Sequence, residues 1–348
     1  MVMPAQVPPP TWFAPTLAAL LERHDLNGMQ MCEVMHGLLS GACGDVETTA
    51  LLVALGMKGE TAGELAAAAA VMREYMVRLD LDRTDVLDTC GTGGDGSGTF
   101  NISTATALVV AAAGVPVVKH GNRAVSSTCG SADVLAALDV PIHADPVLVR
   151  RDLERTGMAF CLAPHFHPAL RHLGPVRSRL GFRTLFNCLG PLANPAGARY
   201  QLLGVGREDW LDRMAGALAR LQFGHAFLVC GRDGLDEVSL SGTTLVREVK
   251  DGNVTTLEWT PEHFGLPACS PDALRVGNAH ESAAVIRSVL SGQEGAALHV
   301  VLANAAAALL LAGKVATLAD GVTLARTAVE SGRATRVLAG LVTCPRTE

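Results

Sequence analysis

Between residues 13 and 78, apolar side chains recur at helical spacing in short runs that end at glycine or polar breaks. The runs are TLAALLERHDL, EVMHGLLSG and TTALLVALGMKG. Short amphipathic helices bury their apolar stripes by packing against one another as antiparallel neighbours. The pattern therefore predicts a small all-helical domain over residues 1–82, which begins with a proline-rich tail.

From residue 84 onward, apolar strands, glycine-rich or polar loops and buried helices alternate. The predicted strands are DVLDTC, VPVVK, HAFLVCG and NVTTLEW, and the predicted helices are NISTATALVVAAAG, SADVLAALD, DWLDRMAGALARLQ and ALHVVLANAAAALLLAG. This alternation is typical of a central, mostly parallel sheet flanked by helices. We expect a larger α/β domain over residues 83–348. Residues 175–195 mix helical and turn signals, and we expect them to pack on the helical domain.

Composition narrows the class of protein. The chain has 348 residues, of which 49% are hydrophobic and only 4% aromatic, and its net charge is −6. Such a chain creates no global positive field for a nucleic-acid backbone, so we expect no nucleic-acid partner. The longest apolar run, residues 298–312, contains His299 and Asn304 and is shorter than the ~20 residues that span a bilayer. It predicts a buried core helix and no membrane partner.

The cysteines and the N-terminal sequence indicate the cellular compartment of the protein. The nine cysteines are odd in number and include no Cys-x-x-Cys pair, which argues against a disulfide framework or a structural zinc site. The N-terminal sequence lacks the positively charged region of a secretory signal. We therefore predict a cytoplasmic protein with reduced thiols.

The strongest local signal is the segment GTGGDGSG at residues 91–98, which follows a predicted strand and precedes a predicted helix. Glycines allow the backbone to approach an anion and present its N–H groups. The helix start at Asn101, Ser103 and Thr104 adds free amides and a favourable dipole, so a phosphate or diphosphate fits here. The bland alternative is a glycine-rich turn with Asn101 or Ser103 as an ordinary N-cap. Neither the P-loop nor the Rossmann spacing is present.

The next predicted strand ends in KHGNR, at residues 119–123. Ligands of α/β sheets bind at the carboxyl ends of the strands, and neighbouring strands deliver their loops to one edge. Lys119 and Arg123 supply cations there, and the serines and glycines that follow supply hydrogen-bond donors. Taken alone, the segment could be a solvated basic turn. Beside the glycine loop it predicts the other half of an anion site.

Three further segments carry candidate chemistry. Asp236 and Glu237 follow a predicted strand and suit Mg²⁺, which bridges carboxylates to substrate phosphates, although such a pair is commonly solvated surface. His165 and His167 lack carboxylate or cysteine companions, so packing or pocket-lining roles are favoured over a metal site. Arg177 has the geometry to bind a carboxylate through two hydrogen bonds, although an isolated arginine is more often a surface residue.

Together these segments resemble the anthranilate phosphoribosyltransferase family. The resemblance covers residues 17–341 and rests on DTCGTGGDGSGTFNIST, KHGNRAVSS with GSADVLAAL, APHFHPAL, PVRSRLGFRTLFNCLGPLANP and GLDEVS, in the family's order. It implies transfer of the 5-phosphoribosyl group from 5-phosphoribosyl 1-diphosphate (PRPP) to the anthranilate amine in tryptophan biosynthesis, with release of pyrophosphate. It also implies two Mg²⁺ ions per subunit and a homodimer formed through the helical domains.

The resemblance also implies roles for single residues. The residues that it places on PRPP are Gly91, Gly94, Asp95, Thr99, Asn101, Ile102, Ser103, Thr104, Lys119, His120, Gly121, Asn122, Arg123, Ala124, Val125, Ser126, Ser127 and Ser131. Those that it places at or near anthranilate are Gly91, Asn122, Arg177, His120 and Pro164, and those that it places on magnesium are Ser103, Asp236 and Glu237. No residue is assigned an acid or base role, because the anthranilate amine is an aniline and is largely unprotonated at neutral pH.

The chain departs from the family pattern at one point, and two other functions fit the sequence. Many family members carry a basic residue or a serine where this chain has Thr128 and Cys129, which puts the strength of phosphate binding in doubt. A pyrimidine nucleoside phosphorylase would share the architecture, but KHGNR followed by GSAD resembles the transferase. A non-catalytic PRPP sensor descended from the enzyme need not retain Asp236, Glu237 or Arg177.

Overall fold

The computed structural model describes residues 8–124 and 129–343. Four helices form the N-terminal domain, and they confirm the helical pattern of the sequence: α1 (Phe13–Leu21), α2 (Gly28–Leu39), α3 (Asp45–Lys58) and α4 (Ala62–Glu74). Reciprocal hydrogen bonds of a capping box start two of them, between Asn27 and Gln30 in α2 and between Thr61 and Glu64 in α4. These polar side chains fix where the two helices begin.

The remaining chain is built on one seven-stranded sheet. Its strands are β1 (Leu87–Gly91), β2 (Val117–Gly121), β3 (Met158–Leu162), β4 (Tyr200–Gly204), β5 (His225–Gly231), β6 (Thr244–Lys250) and β7 (Asn253–Trp259). Their spatial order is β3-β2-β1-β4-β5-β6-β7, with parallel pairing from β3 to β5 and antiparallel pairing at β6 and β7. The predicted fold class, a small helical domain and a larger domain with a mostly parallel sheet, is confirmed.

Twelve helices accompany the sheet in the described part of the chain. They are α5 (Ile102–Ala112), α6 (Ser131–Ala137), α7 (Pro146–Thr156), α8 (Ala163–Phe166), α9 (Gly174–Leu180), α10 (Phe186–Leu192), α11 (Glu208–Arg220), α12 (Pro261–Phe264), α13 (Ala279–Leu290), α14 (Ala296–Leu311), α15 (Leu318–Glu330) and α16 (Arg333–Val342). Short 3₁₀ turns cover Pro168–Leu173 and Pro271–Leu274. The apolar run expected to form a core helix is α14, which packs on α5 and is buried along almost its whole length. Among the described residues, no helix is both long and apolar enough to cross a membrane.

Residues 175–195 include α10 and most of α9, and the structure shows where they pack. Leu185, Phe186, Leu189 and Leu192 belong to the same buried apolar cluster as residues of helices α2–α4. Helix α11 packs against α4 and brings one face of the sheet into this cluster. The helical domain and the sheet therefore share a core, and the cavity described below lies along their junction. The division of the chain at residues 82–83 stays a prediction.

The strand order creates a switch point between β1 and β4. From β1 the chain continues to β2 on one side, whereas β4 pairs with the other side of β1, in register from Leu87 with Tyr200 to Gly91 with Gly204. Loops leave in opposite directions at such a point, which opens a crevice at the carboxyl ends of the strands. The glycine loop of residues 92–98 begins there.

Candidate active site

A cavity of about 320 Å³ lies at the carboxyl ends of β1 and β2. Its walls come from four parts of the chain: the glycine loop with the start of α5, the end of β2 with the start of α6, the segment from α8 to α10, and the pair Asp236 and Glu237 after β5. The two strand-end loops that the sequence predicted to converge do line one cavity. The carboxylate pair lines the same cavity, and Asp236 contacts the glycine loop directly.

The glycine loop adopts a backbone that needs glycine. Gly93, Gly94, Gly96 and Gly98 have φ between +61° and +77°, in the left-handed region that other residues rarely adopt. Within the described residues, the amides of positions 94–96 donate to no protein atom. Asn101 caps the following helix by accepting a hydrogen bond from the Thr104 amide at 3.1 Å. The loop therefore presents free N–H groups at the positive end of a helix, which suits an anion.

Lys119 forms part of the cavity floor. Its Nζ donates to the carbonyl oxygen of Thr89 and, at 2.9 Å, to Oγ of Ser103. Burial lowers the pKa of Lys119, and the nearby Asp88 carboxylate opposes that shift. Asp88 in turn accepts hydrogen bonds from the His120 amide and from Nδ2 of Asn194. The ammonium group is thus fixed by the ends of β1 and α5 and by a buried carboxylate.

Asp236 and Glu237 bring negative charge to the cavity wall, beside the glycine loop and the start of α5. Oδ2 of Asp236 accepts from the Gly93 amide at 3.1 Å, and Glu237 lies near the backbone of Ser103. Burial, followed by repulsion from Asp95, raises the pKa of Asp236 to about 8. Burial, followed by repulsion from Asp236, raises the pKa of Glu237 well above its usual range. A divalent cation would relieve this repulsion and hold both groups ionised.

Two buried histidines, His120 and His167, lie side by side and line the cavity. The rings of His120 and His167 lie 5.1 Å apart. Nδ1 of His120 is 3.0 Å from the carbonyl oxygen of Gly190, and Nε2 of His167 is 3.1 Å from that of Ala193. Burial lowers the pKa of His120 to about 3 and that of His167 to about 4. Both rings are therefore neutral at pH 7, and because carbonyls only accept, these two nitrogens carry the protons. Nε2 of His120 is left as an acceptor without a partner among the described residues.

Two arginines reach the cavity, Arg177 in α9 and Arg183 in the loop between α9 and α10. The Arg177 guanidinium lies 5.2 Å from the centre of the Phe186 ring, and burial lowers its pKa from a very high starting value, so it stays charged. Arg183 donates to the carbonyl oxygens of Gly93 and Thr92, at 2.7 and 2.8 Å. Arg177 and Arg183 thus bring positive charge to the cavity wall.

Two family models match this chain. The helical-bundle domain of a glycosyl transferase family matches residues 14–76, and the a/b domain of the same family matches residues 83–335. An anthranilate phosphoribosyltransferase from an Anaeromyxobacter strain is 48% identical over 330 residues, which cover 95% of this chain and 98% of that protein. The chain belongs to the anthranilate phosphoribosyltransferase family.

Other members of the family agree in sequence and in fold. The Thermomicrobium roseum anthranilate phosphoribosyltransferase is 51% identical over 87% of this chain and 88% of its own length. The crystal structure of the Thermus thermophilus member superposes with a TM-score of 0.87 at 44% identity, covering 94% of this chain and 98% of that one. The Saccharomyces cerevisiae member, solved in complex with PRPP and Mg, gives a TM-score of 0.87 at 28% identity, with 95% and 96% covered. This family membership makes the chain a glycosyltransferase of the pentosyltransferase class.

Most of the residues that the family resemblance singled out line the cavity. They are Gly91, Gly94, Asp95, Thr99, Asn101, Ile102, Ser103, Lys119, His120, Gly121, Asn122, Arg123, Ser131, Arg177, Asp236 and Glu237. Val125, Ser126 and Ser127 lie outside the described residues, as does Thr128. Whether the lining residues bind the ligands implied for the family stays a prediction, which is taken up below.

Three of the predicted residues are not on the cavity wall. Thr104 is fully buried and donates its hydroxyl to Oδ1 of Asn101, so it acts behind the wall by fixing that cap. Pro164 is exposed on α8, and its neighbours Ala163 and His167 face the cavity instead. Ala124 uses its amide to bind Oδ2 of Asp133. The segments that carry these three residues reach the cavity, and the roles implied for the residues themselves stay predictions.

Several lining residues were not predicted from the sequence. They include Met72, Leu170, Phe186, Asn187, Gly190, Pro191 and Arg183. Six of them lie in the segments on which the family resemblance rests. Only their position within those segments could have indicated that they line the cavity. Met72 comes from α4, and nothing in the helical pattern distinguishes it from an ordinary core methionine.

Proposed function

We propose that this family member is an anthranilate phosphoribosyltransferase, which transfers the 5-phosphoribosyl group of PRPP to the amine of anthranilate and releases pyrophosphate, in tryptophan biosynthesis. The observation that carries the proposal is one cavity whose walls combine free loop amides, a carboxylate pair and cationic side chains. These are the chemical groups that a diphosphate, its metal ions and a carboxylate-bearing acceptor require.

The donor end is the glycine loop with the start of α5. Its free amides and the Lys119 ammonium offset the charge of a diphosphate, and the end of β2 with Asn122 and Arg123 extends the site toward a second phosphate. Arg123 is exposed and pairs with Asp133 at 3.2 Å, so it is free to exchange that partner for a phosphate at little cost.

Mg²⁺ is proposed as the cofactor, with two ions per subunit. Asp236 lies beside the glycine loop, and Glu237 lies beside Ser103. The two carboxylates are therefore near different parts of the cavity, where each could contact its own ion. The described residues contain no group of three or more metal-ligating side chains, which fits a cation that takes its remaining ligands from water and substrate phosphates. The yeast relative was solved with PRPP and Mg. When bound, the ions would neutralise charge on the leaving pyrophosphate.

The acceptor end is proposed around Arg177, His120 and Asn122. The half-buried Arg177 guanidinium is rigidly placed over Phe186 and suits the carboxylate of anthranilate. The unpartnered Nε2 of His120 suits the amine, which donates hydrogen bonds. A 4-fluoroanthranilate complex of the yeast relative supports an aromatic acid in this family's cavity.

The chain's own groups account for catalysis by position and charge. As the bond to pyrophosphate breaks, negative charge grows on the leaving group, where the loop amides and Lys119 stabilise it, while Arg177 and His120 hold the amine near the anomeric carbon. No proton needs to be removed before attack, because the aniline nitrogen already has a free lone pair. The His120 pKa of about 3 is too low for a general acid at pH 7.

A homodimer in the cytoplasm completes the proposal. Leu21, Met29, Val46 and Met57, all on or beside helices of the N-terminal domain, are each at least 69% exposed. Large apolar side chains on the surface of one domain support association through that domain. Analytical ultracentrifugation of the wild type and of a Val46→Asp, Met57→Asp double variant tests this. If the wild-type protein sediments as a monomer at micromolar concentration, the proposed homodimer is wrong.

The activity is tested with purified protein, Mg²⁺, PRPP and anthranilate. Loss of anthranilate fluorescence, with a product of the mass of N-(5-phosphoribosyl)anthranilate and one pyrophosphate released per anthranilate consumed, is the expected result. Phosphorolysis of thymidine or uridine without anthranilate turnover would instead indicate the nucleoside phosphorylase. PRPP binding without pyrophosphate release would indicate the sensor.

A further inference from the structure

The start of the glycine loop is anchored beside the end of β4. The Thr92 amide donates to the carbonyl oxygen of Gly204 at 2.8 Å, and Oγ1 of Thr92 accepts from the Gly206 amide at 3.2 Å. Beyond Thr92 the loop runs through consecutive glycines with positive φ. The peptide planes next to glycines can flip at low steric cost, because no Cβ restricts either orientation. A turned peptide would aim a carbonyl oxygen where an N–H should meet the diphosphate, so the loop needs a restraint.

Arg183 supplies such a restraint. Its Nη1 and Nη2 donate to the carbonyl oxygens of Gly93 and Thr92, two consecutive peptides, at 2.7 and 2.8 Å. The Gly93 amide is held from the other side by Oδ2 of Asp236 at 3.1 Å. The peptide planes on both sides of Gly93 are thereby fixed. A planar guanidinium is the side chain best shaped to bind two neighbouring carbonyls at once.

The chain makes room for this contact at Gly94. A Cβ added there would lie 2.7 Å from Cζ of Arg183 and closer still to Nη1, so the guanidinium fills the space that a side chain would take. Arg183 itself is held by its neighbours, because Thr184 and Leu185 are buried and Leu185 belongs to the core shared with the helical domain. The guanidinium therefore reaches the loop from a rigid base.

We propose that Arg183 is a positioning residue, whose guanidinium fixes the peptides of residues 92–94 so that the free amides of residues 94–96 stay turned toward the diphosphate. This inference rests on the proposed function for its ligand. It concerns the donor side of the cavity alone, since the acceptor is assigned to Arg177, which lies in α9 and contacts a different partner.

The test uses Arg183→Met, which keeps the length of the side chain and removes its donors, and Arg183→Lys, which restores the charge without the planar fork. Arg179→Met is the matched control, because Arg179 is exposed on the same segment and makes no hydrogen bond among the described residues. For Arg183→Met we expect the KM for PRPP to rise at least tenfold, with the KM for anthranilate within twofold of the wild type. Arg183→Lys should recover part of the loss, and Arg179→Met should match the wild type.

A second measurement separates this inference from the proposed function. Hydrogen exchange of the full-length protein without ligands reports the loop directly, whether or not the chain transfers phosphoribosyl groups. The hydrogen-bonded amides of Thr92 and Gly93 should exchange at least threefold faster in Arg183→Met than in the wild type, with unchanged exchange in β1 and in α5. Loop exchange equal to the wild type, or a PRPP KM within twofold of it, would overturn the positioning role. Loss of transferase activity in the wild type would instead count against the function alone.

Discussion

Gly204, at the end of β4, is the position where one added methyl group should most cleanly disturb the site. A Cβ built there would lie 2.7 Å from the carbonyl carbon of Asp236 and closer still to its carbonyl oxygen. Ordinary van der Waals contacts begin near 3.4 Å, so the carbonyl carbon of Asp236 must retreat by about 0.7 Å and its carbonyl oxygen by considerably more. No flexible side chain can give way instead, because the clashing atoms belong to the backbone.

The displacement should cost activity more than stability. A misplacement of about 1 Å in a catalytic constellation can lower the rate by roughly 100-fold, and overpacking of this kind costs about 1–3 kcal/mol of unfolding free energy. For Gly204→Ala we therefore expect kcat/KM to fall by roughly 30- to 100-fold, equivalent to about 2–3 kcal/mol of transition-state stabilisation. The protein should remain folded, with a thermal midpoint a few degrees lower.

Anthranilate fluorescence loss at a series of Mg²⁺ concentrations is the assay, with Gly242→Ala as the control. Gly242 lies between β5 and β6, has an ordinary φ, and an added Cβ meets nothing within 4 Å. The control should match the wild type in rate and in Mg²⁺ dependence. If Gly204→Ala stays within threefold of the wild type, the placement of Asp236 by the end of β4 does not matter for the reaction, and the reasoning fails.

Three further predictions concern the cavity wall. Arg177→Met should raise the anthranilate KM about tenfold or more while the PRPP KM changes little, and steady-state kinetics with an unchanged anthranilate KM would remove Arg177 from the acceptor site. Asp236→Asn with Glu237→Gln should sharply reduce activity at limiting Mg²⁺, and a normal metal dependence would exclude the pair as ligands. His167 has a pKa lowered by burial to about 4, below its unfolded value near 6.5, so the unfolded state binds the proton first and stability is lost as the pH falls. Urea unfolding should show that the wild type loses about 2 kcal/mol more than His167→Gln between pH 7 and pH 5, and equal losses would contradict the buried neutral ring.

The sequence was informative about the sheet where apolar runs end in unusual loops. Strands β1 and β2 are short apolar segments that stop at glycine-bearing turns, and their convergence follows from parallel topology. Strands β3, β4 and β6 were not predicted. β3 and β4 are only five residues long, and β3 is buried throughout, so neither alternation nor length separates such a segment from the end of a helix.

The site residues also fall into those that the sequence predicts and those that it does not. The donor loops and Asp236 with Glu237 follow strands, so their meeting could be argued from order along the chain. Arg183 and Met72 reach the cavity through packing between the helical domain and the sheet, across about ninety residues of sequence in the case of Arg183 and Gly93. No local pattern encodes such a contact. The sequence did not reveal that the Thr104 hydroxyl binds Asn101, because that contact depends on the cap geometry of α5.

The central claim is that one cavity holds the diphosphate between the glycine loop and the carboxylate pair. A crystal structure of the full chain with PRPP and Mn²⁺ in place of Mg²⁺, read by anomalous scattering, tests it most directly. The account predicts diphosphate density against the amides of residues 94–96 and an anomalous peak beside Asp236 or Glu237. Diphosphate density outside this cavity, or a metal peak remote from both carboxylates, would contradict it.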